Sequence, residues 1–368
     1  MNAFAWRLSS PCCVERERDW WRLLGMPGLG PVNLRRWVEQ AGSLDAALAL
    51  ARGRFGRVET IIKERDASFL ETLMLPGAWA LSWEGINYPV GWREMKDAPP
   101  VVFGRGALFS KKARKCIGIV GTRNCSSLAV ELAFELGKEF ARREWVVVSG
   151  LARGVDAAAH RGACYAGFRT VGVLGGPLHP IYPRSSIQIA ERMLQCGGAV
   201  ITERAVQDPI ASWHFASRNR LVVGLSEALV LIQSPAKGGA LISAELAIDS
   251  GVDCWVYRPA ASRSSSRWAG NVKLLEQFPE MGWSNPEELI ERLAARTYPA
   301  NACRSEAEIP AVFLPVWRHL MVQQGGRLAD VARALKRPEA FVRDQLYAME
   351  MQGYVQRIPG EWYVPMGV

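Results

Sequence analysis

The sequence has no Cys-x-x-Cys pair, no His-Glu-x-x-His segment and only 4 histidines in 368 residues. A metal centre is therefore not expected. Its 8 cysteines are scattered, and Cys116, Cys164, Cys196 and Cys254 lie in apolar segments. Only Cys12 and Cys13 are close together, and adjacent cysteines make a poor metal site. Reduced, structural cysteines are the expectation. No apolar run approaches the roughly 20 residues that span a bilayer. Residues 1–11 lack the apolar stretch of a signal peptide. These absences predict a cytoplasmic protein without a membrane partner.

Nucleotide-cofactor signatures are missing too. Gly118-x-x-Gly121 has the wrong spacing for the dinucleotide fingerprint, and Ser149 stands where an acidic residue would end the second strand. In Ser234-Pro235-Ala236-Lys237-Gly238-Gly239 the lysine precedes its glycines, the reverse of a P-loop. NAD, FAD and ATP hydrolysis are disfavoured, and no cofactor is expected. Catalytic constellations are thin. Asp156 and His160 stand four residues apart on one helical face, a spacing that suits an acid–base pair but more simply a helical ion pair. Glu203 and Glu245 are not paired by anything in the sequence. No catalytic residue is assigned.

What is present is basic charge and a regular pattern. Lysine and arginine number 45 against 36 acidic residues, a net charge of +9 that favours an anionic partner only modestly. Hydrophobic residues make up 49%, enough for two or three domains with real cores. Residues 1–85 read as a helical domain, with apolar residues at helical spacing over 20–24 and 34–38. Between them, Met26-Pro27-Gly28-Leu29-Gly30-Pro31 resembles the turn of a helix-hairpin-helix. Gly28 and Gly30 there serve either a phosphate approach or merely a tight turn between packed helices. Residues 88–108 read as a Pro/Gly-rich connector with a short strand or hairpin at Val101-Val102-Phe103.

From Cys116 short apolar strands alternate with helices. Strands are predicted at 116–120, 145–149, 170–174, 199–202, 228–233 and 253–257. Helices are predicted at 128–143, 155–166, 185–196, 214–223 and 240–250. That alternation predicts an α/β fold with a doubly wound parallel sheet. Residues 258–270 read as a Ser/Arg-rich loop and 286–310 as a second connector. Residues 308–368 carry three helical segments, 312–323, 328–335 and 339–351, then two short strands about a Pro359-Gly360 turn, the order of a winged helix. The last of those helices holds Glu339, Arg343, Asp344 and Glu350, a poor set for reading bases, which favours protein contact or a structural role.

The glycine and basic clusters all fall where a predicted strand gives way to a loop or helix. They are Gly121-Thr122-Arg123, Ser149-Gly150 with Arg153, Arg218-Asn219-Arg220 and Lys237-Gly238-Gly239. Small residues let backbone N–H groups approach phosphates, and the cations neutralise them. Trp213 and Phe215, beside the arginine pair, either pack in the core or stack on bases. A charged groove with aromatic rings suits single-stranded nucleic acid.

The same residues carry a family likeness. Val120-Gly121-Thr122-Arg123, Ser149-Gly150-Leu151-Ala152-Arg153-Gly154-Val155-Asp156 with Ala159-His160, Tyr182-Pro183, Arg218-Asn219-Arg220 and Gly239-Ala240-Leu241-Ile242-x-Ala244 resemble the bacterial DNA-processing protein A (DprA/Smf) family in order and spacing. Tyr88-Pro89 and Pro99-Pro100 fit that family's entry into its main domain. The resemblance is strong over about residues 86–280 and implies an extended Rossmann-like domain over 86–290. It implies a homodimeric protein that binds and protects single-stranded DNA and loads the RecA recombinase during natural transformation, in competence and recombination, with no catalytic activity. It places Arg123, Arg218-Asn219-Arg220 and Lys237 in the DNA pocket. The chain departs from the family at Gly238-Gly239-Ala240, where a hydroxyl donor is lost, at Pro259-Ala260 and at Gly175-Gly176-Pro177. Two other readings stand beside it. One is a nucleotide-processing enzyme cleaving a phosphoribosyl bond on a related fold, although its Pro-Gly-Gly-x-Gly-Thr loop is absent. The other is a protein adaptor.

Overall fold

Short apolar runs become the strands of one large sheet. The computed structural model describes residues 11–85, 87–108, 115–260, 266–296, 309–323, 325–358 and 362–365. The chain divides into two compact units, one of Met1–Leu75, Trp79–Val102 and Asn301–Val368, the other of Pro76–Ala78 and Phe103–Ala300. The boundary runs through two strands, β1 (Ala78–Ser82) and β2 (Val101–Gly106).

In the first unit, helices α1 (Pro11–Leu24), α2 (Pro31–Ala41), α3 (Leu44–Arg54) and α4 (Val58–Leu73) precede β1. Pro31 opens α2, and Gly42 closes it in the left-handed conformation (φ 78°). Ser43 then caps α3 by accepting the Ala46 N–H. Trp20, Trp21, Leu23, Leu34, Val38 and Phe69 are buried. Asp66 on α4 accepts from Arg18 at 2.9 Å and Arg22 at 2.6 Å, fixing α1 against it. The helical reading of this segment fails at its end, since 78–82 is a strand. Its apolar residues are only half-buried, so no strand period marks them in the sequence. A short helix, α5 (Val90–Arg93), leads toward β2.

The second unit continues with β3 (Lys115–Val120), α6 (Ser127–Arg142), β4 (Trp145–Ser149), α7 (Val155–Tyr165), β5 (Thr170–Val173), α8 (Ile187–Gln195) and β6 (Ala199–Thr202). Next come α9 (Ser212–Ser217), α10 (Asn219–Gly224), β7 (Ala228–Leu231), α11 (Gly239–Asp249), β8 (Asp253–Tyr257), α12 (Ala269–Gln277), β9 (Gly282–Trp283) and α13 (Pro286–Ala294). The sheet order is β1-β2-β6-β5-β4-β3-β7-β8-β9. β6 through β9 pair in parallel, and β2 runs antiparallel to β6. The doubly wound, mostly parallel α/β fold is as expected. The chain leaves β3 toward β4 on one side and returns beside it as β7 on the other, so the strand order reverses at β3. Ligand crevices form at such a reversal, outside the carboxyl ends of the strands.

Two expectations are corrected here. The single helix at 214–223 is broken into α9 and α10 at Arg218, whose side chain turns into the protein interior. Residues 286–294, read as connector, form α13, started by Pro286 and capped by Asn285, which accepts the Glu287 N–H at 2.9 Å. Residues 261–265 of the Ser/Arg-rich loop, residues 297–308 of the connector and the Pro359-Gly360 turn lie outside the described residues.

After the connector come α14 (Leu314–Gln323), β10 (Gly326–Arg327), α15 (Leu328–Leu335), α16 (Glu339–Met351), β11 (Val355–Ile358) and β12 (Trp362–Pro365). The three strands form an antiparallel sheet in the order β10-β12-β11. Val316, Trp317, Leu320, Val331, Val342, Leu346 and Tyr363 make its core.

α6 and α7 cross closely because two positions lack side chains. A Cβ on Gly137 would sit 2.2 Å from the Ala159 carbonyl oxygen, and one on Gly162 would sit 2.0 Å from that of Phe134. The obstacle in both cases is backbone, which cannot rotate away. Gly137→Ala or Gly162→Ala is therefore expected to cost about 1–3 kcal/mol by overpacking, read as a lower denaturant midpoint. An unchanged midpoint in both variants would show that the helices can move apart freely.

Candidate nucleic-acid surface at the carboxyl edge of the sheet

The loops that follow β3, β4, β5, β6 and β7 form one edge of the second unit. Gln233, fully buried just after β7, joins two of them. Its carbonyl accepts the Thr122 N–H at 2.8 Å, and its side-chain oxygen accepts the Ser126 N–H at 2.8 Å. Asn271 at the start of α12 fixes the same loop from the other side. It donates to the Ile232 and Tyr257 carbonyls at 2.9 Å each, and its oxygen accepts the Ser234 N–H at 2.8 Å. Nothing in the sequence marked either residue, because buried amides that serve backbone groups have no motif.

The expected site residues separate into two sets. Arg123, Arg153 and Lys237 are exposed side chains at the ends of their strands. The Arg123 guanidinium lies over the Phe215 ring at 5.5 Å, and Phe215 packs beside the half-exposed Tyr182 at 5.7 Å. Arg204, after β6, lies over the exposed Trp213 ring at 5.2 Å. Two cation–ring pairs thus stand on this edge. Lys237, Gly238 and Gly239 border a cleft of about 550 Å³ that Ile242, Glu245 and Lys273 also line, the last two paired at 3.5 Å. Gly239 opens α11, whose first turn has no acidic residue and no side-chain cap, and a Cβ there would meet nothing within 4 Å. The first N–H groups of α11 therefore face an open, Lys-flanked surface suited to an anion.

The second set points inward. Ser149 is fully buried and donates to the Ile119 carbonyl at 2.5 Å. Arg218 is buried and donates to the carbonyls of Gly150 and Val173, while its Nε reaches Asn219 Oδ1 at 3.1 Å. Its Nη2 lies 4.0 Å from the Asp156 carboxylate. Burial lowers the Arg218 pKa to about 10 and raises that of Asp156, despite their mutual attraction. Arg220 pairs with Glu203 at 2.7 Å, both half-buried. Asn219 donates to the Gly239 carbonyl at 3.1 Å, tying α10 to the start of α11. Gly150 is glycine because a Cβ would occupy the place of the Arg218 guanidinium, 2.0 Å away. Gly121 and Thr122 sit at the turn itself, where a Cβ on Gly121 would meet Val155 of α7 at 2.5 Å. That glycine serves close packing of strand end and helix.

The ion pair expected between Asp156 and His160 does not form. Asp156 instead accepts the Ala152 N–H at 3.4 Å and faces Arg218. His160 is fully buried, with Nδ1 2.7 Å from Thr170 Oγ1. The Thr170 hydroxyl already donates to the Val147 carbonyl, so Nδ1 must carry the ring proton. Desolvation by burial, then the charge of Arg218, lowers the His160 pKa to about 3. Among the described residues no cluster of His, Cys, Asp or Glu could hold a metal ion, and no helix is long and apolar enough to cross a membrane.

A family model described as DNA recombination-mediator protein A matches residues 80–294. The DNA processing protein DprA of Bacillus subtilis (strain 168) is 35% identical over 210 residues, covering 57% of this chain and 69% of that one. The structure of DNA processing protein A from Streptococcus pneumoniae superposes with a TM-score of 0.62 at 23% identity, over 77% of this chain and 98% of that one. A structure of DNA processing protein A from Helicobacter pylori, described for its single-stranded DNA binding mode, superposes with a TM-score of 0.52 at 25% identity, over 59% of this chain and 95% of that one.

Arg218→Ala removes the donor to two carbonyls and leaves Asp156 buried without its cation. It is expected to cost about 3–5 kcal/mol of stability, whereas Arg123→Ala should stay within about 0.5 kcal/mol. Equal melting of the two variants would refute the division between inward and outward arginines. His160 should remain a neutral Nδ1–H imidazole down to pH 5, seen in its ring nitrogen shifts. Its folded pKa lies below the unfolded value of 6.5. The unfolded state therefore binds the extra proton, and stability is lost as pH falls from about 6.5 toward 3. His160→Gln should flatten that slope, and an unchanged slope would assign it to other groups.

Proposed function

The chain belongs to the DNA recombination-mediator protein A family, and on that premise we propose that the carboxyl edge of its sheet binds single-stranded DNA without strong sequence preference. The observation that carries this reading is two cation–ring pairs, exposed Arg123 over half-buried Phe215 beside Tyr182, and half-buried Arg204 over exposed Trp213. A basic groove follows a flexible strand while ring faces meet unstacked bases, whatever their identity. The single-stranded DNA binding mode described for the Helicobacter pylori relative supports the same assignment. Arg123, Arg153, Lys237 and the start of α11 at Gly238 and Gly239 are the groups that touch phosphates. Ser149, Gly150, Arg218, Asn219 and Arg220, with Gly121 and Thr122, hold the loops that present them.

The division of labour is threefold: a helical part over 1–85, the Rossmann-like DNA-binding part over 86–290 and a winged helix over 308–368. The protein acts as a homodimer that protects single strands and passes them to the RecA recombinase in transformation or recombination. It binds without turning nucleotides over. His160 and Asp156 are held away from solvent, and Glu203 is occupied by Arg220.

Arg123→Ala and Lys237→Ala are each expected to weaken binding of a single-stranded oligonucleotide by about 1.5–3 kcal/mol, the value of a charge-assisted hydrogen bond, without changing the melting temperature. The log–log salt slope should shrink by roughly 0.7 for each phosphate that is no longer neutralised. Fluorescence anisotropy with single- and double-stranded oligonucleotides reads both quantities. A flat salt response, or equal affinity for the two forms, would refute the assignment.

A further inference from the structure

α7 packs against α8 in the second unit, and the end of each helix carries a cysteine. Cys164 stands in the last turn of α7, and Cys196 directly follows the last residue of α8. The Cys196 thiol donates to the Cys164 carbonyl at 3.8 Å, across 32 positions of sequence. The Cys164 thiol in turn hydrogen-bonds the Cys196 sulfur. Both backbones are held by their own helices. The Cys164 carbonyl also accepts the Gly167 N–H at 3.1 Å, and the Cys196 N–H donates to the Arg192 carbonyl at 3.0 Å. The sulfurs are the groups left to move, and each turns about a single bond.

The two thiols differ in access and in acidity. Cys164 is only 4% exposed, and its burial, then the neighbouring Cys196, pushes its thiol up to about 12. Cys196 is half-buried and reaches solvent. The thiolate is the reactive form, so a dissolved oxidant meets Cys196 first and Cys164 takes part only through it.

We propose that Cys196 and Cys164 are a redox pair, which a hydroperoxide converts into an intrachain disulfide joining the ends of α7 and α8. The Cys196 thiolate attacks one peroxide oxygen. An S–O bond forms, the O–O bond breaks, and the released hydroxide takes up the thiol's proton to leave as water. The Cys164 sulfur then attacks the sulfur of the resulting sulfenic acid. An S–S bond forms, the S–O bond breaks, and hydroxide leaves with the Cys164 proton as a second water. The two sulfurs together lose two electrons, and the peroxide gains them. Because Cys164 keeps its proton so firmly, the second step is the slow one near neutrality. The joint precedes β5 and β6, at the opposite edge of the sheet from the loops that carry Arg123 and Lys237.

The test uses the reduced full-length protein without DNA, so its outcome is independent of the DNA-binding assignment. The protein is treated with hydrogen peroxide, alkylated and cut with trypsin, which leaves Cys164 in the peptide 162–169 and Cys196 in the peptide 193–204. Mass spectrometry is expected to find the two peptides joined, two hydrogens lighter than their sum, in a chain that runs as a monomer on a denaturing gel without reductant. Dimedone added with the peroxide at neutral pH should capture Cys196 as its sulfenic acid, and more of it in Cys164→Ser. Peroxide should raise the melting temperature of the wild type by about 5 °C or more, because the cross-link restricts the unfolded chain. Dithiothreitol should reverse that shift, and Cys196→Ser should lack it. Complete oxidation of Cys196 without the joined peptide, a joint between two chains, or an equal thermal shift in folded Cys196→Ser would overturn the proposal.

Discussion

The buried guanidinium of Arg218 is the interaction on which the carboxyl edge depends. It gathers the carbonyl at the end of β4, the carbonyl at the end of β5 and the side chain of Asn219. The two carbonyls end neighbouring parallel strands, and the guanidinium reaches both from the start of α10. Desolvating a full positive charge is expensive, and here several acceptors and the nearby Asp156 carboxylate offset the cost together. With a Cβ at position 150 the guanidinium would have no room. The loop that follows β4 accordingly takes its shape from a residue nearly seventy positions later, Leu151 adopting left-handed backbone (φ 54°) within it.

This explains why an arginine motif can be essential to a binding surface without facing its ligand. A sequence motif records that a guanidinium is required, and carbonyls and phosphates both require one. Of the basic groups at this edge, Arg123, Arg153 and Lys237 are exposed, and Arg123 and Lys237 stand where two neighbouring loops leave the sheet at its point of strand reversal.

Much of the architecture was legible because apolar strands of four to six residues alternate with amphipathic helices, a period that survives in a single sequence. The strand at 78–82 was not, since Ala78-Trp79-Ala80-Leu81 is a short apolar run without alternation, which fits the end of a helix as well as a strand. The break at Arg218 was hidden because apolar residues continue at helical spacing through it. Asp156 and His160 looked like partners because spacing along a helix is visible in sequence. Their true partners, Arg218 and Thr170, come from other elements and are not. Gln233 and Asn271 were invisible for the same reason, as their whole role is to satisfy backbone groups far away in the chain.

Gln233 has one more consequence. Because it grips the Arg123 turn at both Thr122 and Ser126 while belonging to the strand end that leads to Lys237, the backbones that carry these two residues are tied together. The side chains of Arg123 and Lys237 keep their own rotamer freedom, and only the backbone beneath them is fixed. The turn after β3 and the turn after β7 therefore shift as one piece, and a change in the amide of Gln233 would be felt in both.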